Sequence, residues 1–388
     1  MKSIQIVGKR EALEMIRVMQ VSTRHNVGGV SKLINALLSN KSTINSYITG
    51  ECEENEVEFL LDTFDEPNKK LFKIKSLRRT PNLWNDLISL IKLYELIKRE
   101  KPHIIHTHMS KAGLLARLAA IFSGSNAKLV HSYHGLIYEN YFNRNLVKFL
   151  VFIERRIGQY TDAFVLDSQL IEKEIKRLSI RPKITQSVIT PGVIEIDEPY
   201  IPRSRDSKAL KILIVARLEQ IKRIDRAIEA LNLVSKVSPD IPFSVTILGD
   251  GQLKTELNRK SKEYCLPIEF AGWQSSLAPY YQESHLLLLT SDSEGTPLAI
   301  MEAAYFGCPT ISTNVGGVAD IIEDGSTGIL CSDGTYEIAK AIIATFKHPN
   351  KLQQMSQSAH EKAKRDFSKE LFIEKHLALY ELLASKDK

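Results

Sequence analysis

Long apolar runs are missing from this chain. Nothing in its 388 residues approaches the roughly 18 consecutive apolar residues of a membrane-spanning helix. The opening Met1-Lys2-Ser3-Ile4-Gln5 lacks the apolar core and small-residue cleavage site of a secretory leader, so none is expected. Cysteine is scarce. Cys52, Cys265, Cys308 and Cys331 stand neither at metal-ligand spacing nor as a disulfide framework. A reducing, cytoplasmic setting follows as the expectation. No G-x-G-x-x-G and no Walker A sequence occurs, which argues against dinucleotide and P-loop chemistry. Basic residues are not interleaved with aromatic ones, so no nucleic-acid partner is expected.

What is present describes a soluble globular protein, with 43% apolar and 25% charged residues. The length suits two domains. The net charge of +6 is uneven: residues 1–190 hold 29 Lys+Arg against 19 Asp+Glu, and residues 191–388 hold 23 against 27. Only the first half is therefore expected to meet something anionic. Its densest basic stretch is Lys69, Lys70, Lys73, Lys75, Arg78 and Arg79. Such a stretch reads either as a solvated loop or as a membrane-facing one, where each charge contributes about 1 kcal/mol.

Strand-like and helix-period segments alternate. Strands are expected at Ile16–Val21, Phe59–Leu61, His103–His106, Lys128–His131 and Ala163–Leu166, with a clear helix at Leu83–Arg99. Residues 191–209 break the pattern with Pro191, Gly192, Pro199 and Pro202, and read as a linker. The alternation then restarts at Lys211–Val215, Ile224–Val237, Phe243–Leu248, Leu286–Leu289, Pro297–Phe306 and Pro309–Ser312. Residues 351–385 are helical and charged, and residues 1–14 read as either an added strand or a disordered extension. This alternation implies α/β architecture with parallel sheets. Ligands then bind at the carboxyl ends of strands, so the residues just after strands carry the chemistry.

Three such places stand out. Asn26-Val27-Gly28-Gly29-Val30-Ser31 precedes a helix, where two glycines let backbone amides approach phosphate. An ordinary tight turn also accounts for them. Arg217 and Lys222 follow the strand Lys211–Val215, five residues apart, and both suit a diphosphate. Glu294-Gly295-Thr296-Pro297-Leu298-Ala299-Ile300-Met301-Glu302 sets two carboxylates eight residues apart. Glu294 is expected at the mouth of a helix and Glu302 two turns inside it. Each carboxylate can accept two hydroxyl hydrogens, which suits polyols.

The run Glu294 to Glu302 resembles the E-x7-E signature of retaining GT-B glycosyltransferases. Its flanks match as well: Ser291-Asp292-Ser293, Glu302-Ala303-Ala304, Gly307-Cys308-Pro309, Val315-Gly316-Gly317 and Glu323-Asp324-Gly325-Ser326-Thr327-Gly328. From about Val18 to about Phe367 the chain is similar to glycosyltransferase family 4, also called glycosyltransferase group 1, in its bacterial polysaccharide branch. The resemblance implies two Rossmann-like, doubly wound domains facing a deep cleft. The first, residues 1–190, would bind the acceptor. After the linker 191–209, residues 210–365 would bind the nucleotide-sugar donor, and the helix 366–388 would pack back toward the first domain.

The resemblance also assigns roles. Gly28 and Gly29 would approach the donor phosphates, and Arg217 and Lys222 would hold the diphosphate. Glu294 would hold the transferred sugar, with the backbone of Gly295, Thr296, Pro297 and Leu298 nearby, and Glu302 the ribose. In His131-Ser132-Tyr133-His134-Gly135, His134 would face the sugar. Two departures are visible: Ala216 and Arg223 stand where the family usually has glycine. The chain has no D-x-D pair, so no metal and no further cofactor are expected. The implied activity is retaining transfer from a nucleotide sugar, with UDP preferred, by front-face attack on an oxocarbenium-like centre. The implied acceptor is a glycan, lipid-linked, with peripheral contact to an anionic inner membrane face. The alternatives are another nucleotide-sugar enzyme of this fold (an epimerase or a disaccharide-forming transferase) and a non-catalytic binding protein.

Overall fold

The computed structural model describes residues 15–53, 56–58, 68–135, 143–192 and 209–385. The expected strand at Phe59–Leu61, most of the linker and residues 1–14 lie outside them. β1 (Ile16–Val21) leads to α1 (Gly29–Leu38), β2 (Thr43–Thr49) and β3 (Lys69–Lys73). Next come α2 (Leu83–Glu100), β4 (Ile104–His108), α3 (Ser110–Ser123) and β5 (Lys128–Tyr133). α4 (Arg144–Gly158), β6 (Ala163–Leu166), α5 (Gln169–Arg177) and β7 (Thr185–Val188) follow. Asn82, Asn143 and Ser168 cap α2, α4 and α5 by accepting from the amides of Asn85, Leu146 and Ile171.

Beyond the linker, β8 (Leu210–Val215) runs into a 3-10 turn (Gln220–Lys222), α6 (Ile224–Val237) and β9 (Phe243–Leu248). Then come α7 (Lys254–Glu263), β10 (Ile268–Gly272), α8 (Ala278–Glu283), β11 (Leu286–Leu289) and α9 (Leu298–Tyr305). β12 (Thr310–Thr313), α10 (Val318–Ile321), β13 (Gly328–Cys331), α11 (Thr335–Lys347), α12 (Pro349–Asp366) and α13 (Lys369–Ser385) complete the order. The strands form a seven-stranded sheet, β3-β2-β1-β4-β5-β6-β7, and a six-stranded sheet, β10-β9-β8-β11-β12-β13. Neighbouring strands such as β1 and β4 or β11 and β12 run parallel, with Val18 opposite Ile104 and Leu287 opposite Thr310. No described helix is long and apolar enough to cross a membrane.

The chain divides into two compact units, residues 1–131 with 160–162 and 378–388, and residues 132–159 with 163–377. In the first, Met19, Ile105, Leu93, Ile97 and Ala116 lie in one core between sheet and helices. A polar network ties the end of α13 to β1 and β4. Tyr380 Oη meets His106 Nδ1 at 2.6 Å and accepts from Gln20 at 3.2 Å, while Gln20 Oε1 meets His108 Nε2 at 2.8 Å. His131 sits 2.8 Å from Thr107 and fills the space where a Gly113 side chain would stand. These histidines are buried structural groups.

In the second unit, Leu210, Ile212, Ile228, Leu231, Leu286 and Ile342 build the main core. Leu286–Leu289 is buried throughout, as a parallel strand covered on both faces requires. The helical stretch 351–385 is broken at Phe367-Ser368, whose carbonyls press against Gly192.

The basic stretch does not form a simple loop. Lys69, Lys70 and Lys73 lie on β3, the edge strand of its sheet, and Lys69 is buried. Lysines along an edge discourage pairing with other chains.

Two buried histidines set a pH window. Burial lowers the pKa of His376 to about 4, the carbonyl of Phe372 opposing and electrostatic interaction with His134 adding to the effect. Burial likewise lowers His25 to about 4, against Glu58 and together with Lys73. Both groups ordinarily titrate near 6.5, so the unfolded chain binds more protons between the two values. Stability is therefore complete above pH 6.5 and is lost as pH falls toward 4, by up to ~3 kcal/mol per group. Denaturant unfolding at stepwise pH should show this slope, and His376→Gln should flatten it. An unchanged slope in that variant would contradict the assignment.

Candidate active site

The order of the six-stranded sheet reverses between β8 and β11. At such a reversal the loops after the two strands diverge and leave a ligand crevice. Here those loops carry Lys222 and Glu294. Lys222 Nζ donates to both carboxylate oxygens of Glu294, at 2.7 and 2.8 Å. Ser291 Oγ adds a third bond to Glu294, at 2.5 Å. The Glu294 side chain is only 7% exposed and that of Lys222 20%. A cation assigned to a diphosphate and a carboxylate assigned to sugar hydroxyls thus stand in contact. Arg217 bonds to Glu219 at 2.5 Å.

The two loops are stitched together. The amide of Asp292 donates to the Ile221 carbonyl at 2.9 Å, and Thr290 Oγ1 to that of Arg223 at 2.8 Å. Arg226 reaches the Thr290 carbonyl at 2.8 Å and Asp292 at 2.6 Å. Arg223 does not point freely to solvent. It bonds to Asp225 from 3.1 Å and to both oxygens of Asp292 at 3.2 Å. The Asp225 bonds, then those to Asp292, raise its pKa above the ordinary arginine value against burial. Its backbone is left-handed, with φ 48°. This is the conformation glycine favours, so the side-chain bonds offset a strain that glycine would avoid. Ala216 does not take positive φ, so alanine fits there without strain.

His134 follows β5, and Asp167 follows β6. His134 Nδ1 lies 3.0 Å from Asp167 Oδ2, with side chains 11% and 5% exposed. A carboxylate there accepts the Nδ1 proton, fixes the ring's orientation and leaves Nε2 for a ligand. The carbonyl of Asp167 accepts from Thr296 Oγ1 at 3.3 Å. Thus the segment after Glu294 packs against both loops. A Cβ on Gly295 would stand 2.4 Å from the His134 carbonyl oxygen. On its other side, a Cβ on Gly316 would stand 1.7 Å from the Glu294 carbonyl oxygen, and φ there is +57°.

α9 starts at Leu298 with Pro297 as its cap residue. Glu294 therefore lies outside the helix, and Glu302 is one turn inside rather than two. Tyr281 Oη donates to Glu302 at 3.0 Å. Burial first, then the Glu302 charge, raises the Tyr281 pKa well above its ordinary value. In the first unit, Gly28 precedes α1 in extended conformation, and no side chain caps the helix, so the bare amides at Gly29 remain the feature of that loop. Among the described residues no group of three or more His, Cys, Asp or Glu is arranged to hold a metal ion.

Asp167, Asp292 and Tyr281 are the site residues that sequence reasoning missed. Asp167 carries a signal in hindsight, since it follows a strand just as His134 does. The partners of Asp292 and Tyr281 are set by tertiary contact.

Known proteins share this chain's sequence pattern and fold. Residues 201–362 match the family model described as Glycosyl transferases group 1, and residues 52–194 match that of Glycosyltransferase Family 4. The chain is 32% identical over 293 residues to an Escherichia coli UDP-Gal:alpha-D-GlcNAc-diphosphoundecaprenol alpha-1,3-galactosyltransferase, covering 70% of this chain and 73% of that one. It is 26% identical to the N-acetyl-alpha-D-glucosaminyl L-malate synthase of Bacillus anthracis, covering 78% and 81%. Among solved structures, Anabaena HepE in complex with UDP shares the fold with TM-score 0.74 and 17% identity, over 96% of this chain and all of that one.

The glycine sandwich gives a direct test. Gly316→Ala combines a left-handed backbone with a backbone clash and should cost about 3 kcal/mol or more. Gly325→Ala, with φ +74° but nothing within 4 Å, should cost only about 1 kcal/mol. Denaturant unfolding of both measures the difference; equal costs would mean that the loop contact is unimportant.

Proposed function

The chain belongs to glycosyltransferase family 4, and from that premise we propose a retaining, metal-independent transferase that moves a sugar from UDP to a lipid-linked glycan. The coarser statement, a glycosyltransferase of bacterial polysaccharide or lipid-linked glycan synthesis, rests on the family and the relatives. The finer reading draws on one observation above all: the Lys222–Glu294 pair at the sheet's reversal point. The E. coli relative acts on UDP-Gal and a diphosphoundecaprenol-linked GlcNAc, and the Anabaena protein binds UDP, which supports the donor and acceptor classes.

In this reading residues 210–365 take the donor and residues 1–190 the acceptor. Gly28 and Gly29 approach the donor phosphates. Lys222 passes from Glu294 to the diphosphate, joined by Arg217, and Glu294 turns its oxygens to the sugar hydroxyls. Glu302 takes the ribose, and the amides of Gly295, Thr296 and Leu298 face the donor beside Pro297. The bond between anomeric carbon and phosphate oxygen breaks as the acceptor hydroxyl attacks the same face. The hydroxyl proton passes to the departing phosphate oxygen, and UDP leaves. The cations and helix-start amides stabilise the charge growing on the diphosphate, which is why no metal is required. His134, oriented by Asp167, faces the sugar where positive charge develops.

A nucleotide-sugar panel assayed with EDTA tests the whole reading. A UDP sugar should raise the melting temperature and be slowly cleaved in EDTA. Activity lost in EDTA and restored by a divalent cation would overturn metal independence, and retention is checked by NMR of the product anomer. If no nucleotide sugar binds or is cleaved, the proposal falls to the non-catalytic alternative.

Kinetics separate the residues. His134→Ala and Asp167→Asn should lower kcat at least 100-fold with donor affinity changed less than about threefold. Glu302→Ala should weaken UDP binding by about tenfold or more. Unchanged kcat in the first pair, or unchanged UDP affinity in the last, removes the corresponding role.

A further inference from the structure

A lipid-linked acceptor requires a surface that meets the bilayer, and the densest basic stretch is a poor one. Lys70 pairs with Glu100 at 2.7 Å, Lys73 with Glu58, and Lys75 and Arg78 lie 4.0 and 3.9 Å from Glu51. Lys69 is buried, and Arg79 is the one exposed cation of the stretch with no described acid beside it.

α4 is different. Its charged residues are Arg144, Lys148, Arg155, Arg156 and one acid, Glu154. Glu154 is 7% exposed and accepts from Tyr133 Oη at 3.0 Å on the inner side. Val151 and Ile157 are buried on that side too. The outer side exposes Leu146 (38%), Phe149 (57%) and Phe152 (53%), three residues apart, with Lys148, Arg155 and Arg156 exposed beside them. Arg156 lies over the Phe152 ring at 5.3 Å, and Arg155 donates to the Leu178 carbonyl at 2.7 Å. No described acid pairs with any of these cations. α2 also exposes apolar groups, including Trp84, Leu87 and Ile91, but its outer side carries the exposed acid Glu95.

From this we infer that the outer face of α4 seats on an anionic phospholipid bilayer. Aromatic rings at the acyl boundary and cations at the headgroups are what such a surface selects. The absence of any exposed acid on the helix distinguishes it from a face made for ordinary solvent. The inference rests on the lipid-linked acceptor of the proposed function and adds where the protein meets that lipid.

The test is co-sedimentation of the full chain with phosphatidylcholine vesicles, with and without phosphatidylglycerol. Binding should require the anionic lipid. Lys148→Gln with Arg156→Gln should weaken it about 30-fold, and Phe149→Ser with Phe152→Ser about tenfold or more. Arg78→Gln with Arg79→Gln, and Trp84→Ser with Leu87→Ser, should leave it within about twofold of the unmodified chain. The charge pair and the aromatic pair serve as independent variants should either fold poorly. Absence of vesicle binding, or loss confined to the residue 78–79 or α2 variants, overturns the inference. So does a dimer in sedimentation that Phe149→Ser with Phe152→Ser dissolves while vesicle binding persists. Cleavage of the nucleotide sugar is measured alongside without vesicles. It should stay unchanged in every variant, so failure of the transferase reading is seen separately from failure of the seat.

Discussion

Glu294 meets Lys222 through both carboxylate oxygens, in a place where neither side chain has much access to water. A carboxylate left alone there would pay a heavy desolvation penalty, and so would an ammonium. Each holds the other in place through two hydrogen bonds. That mutual dependence explains the surrounding architecture, because the pair exists only if two loops from adjacent strands hold a fixed spacing. Backbone and side-chain bonds from Ile221, Arg223 and Arg226 to Thr290 and Asp292 supply that spacing. A ligand bringing both a diphosphate and hydroxyls can then exchange with the pair one contact for another. Binding need not create charge in a low-dielectric pocket.

The same loop is fixed from its other side by close backbone packing. Gly295 lies against the His134 carbonyl, and Gly316 against that of Glu294. Neither contact tolerates a Cβ. Placement of Glu294 and placement of His134 are therefore one problem within this unit, solved by glycine on the strand-end loops. The Asp167 carboxylate orients the imidazole while its carbonyl receives Thr296. One residue thus serves both halves of the site.

Much of this was legible before the structure. Ala163–Leu166 and Leu286–Leu289 coincide with strands, because parallel strands covered on both faces read as apolar runs; Phe243–Leu248 coincides with one through alternation, Ser244 being exposed between the half-buried Phe243 and the buried Val245. β2 escaped, since Thr43, Asn45, Ser46 and Thr49 are polar yet buried. Asn45 bonds to Thr43 at 3.0 Å, and Tyr47 Oη lies 2.7 Å from Ser22, so local partners offset the cost of burial. The basic stretch misled for a related reason. A charge count registers cations but not their partners, and Glu100 lies 30 residues from Lys70 in sequence. The reverse holds for α4, whose single acid is turned inward. Candidate site residues followed the same divide. Asp167 stands just after a strand, as His134 does, whereas Tyr281 acts through a contact with Glu302 that local pattern does not encode.

Arg223 shows how a departure from a family pattern can be reconciled physically. Its left-handed backbone costs about 1–2 kcal/mol relative to glycine. In return its guanidinium binds Asp225 and both oxygens of Asp292, two residues ahead of Glu294. Glycine would relax the backbone but leave Asp292 to Arg226, its other close cation. The loop bearing Lys222 would lose a bidentate tie to the loop bearing Glu294. A flexible loop must close on a donor at an entropic cost, whereas a tied loop is already arranged. The substitution therefore exchanges backbone ease for preorganisation at the point where the ion pair depends on it.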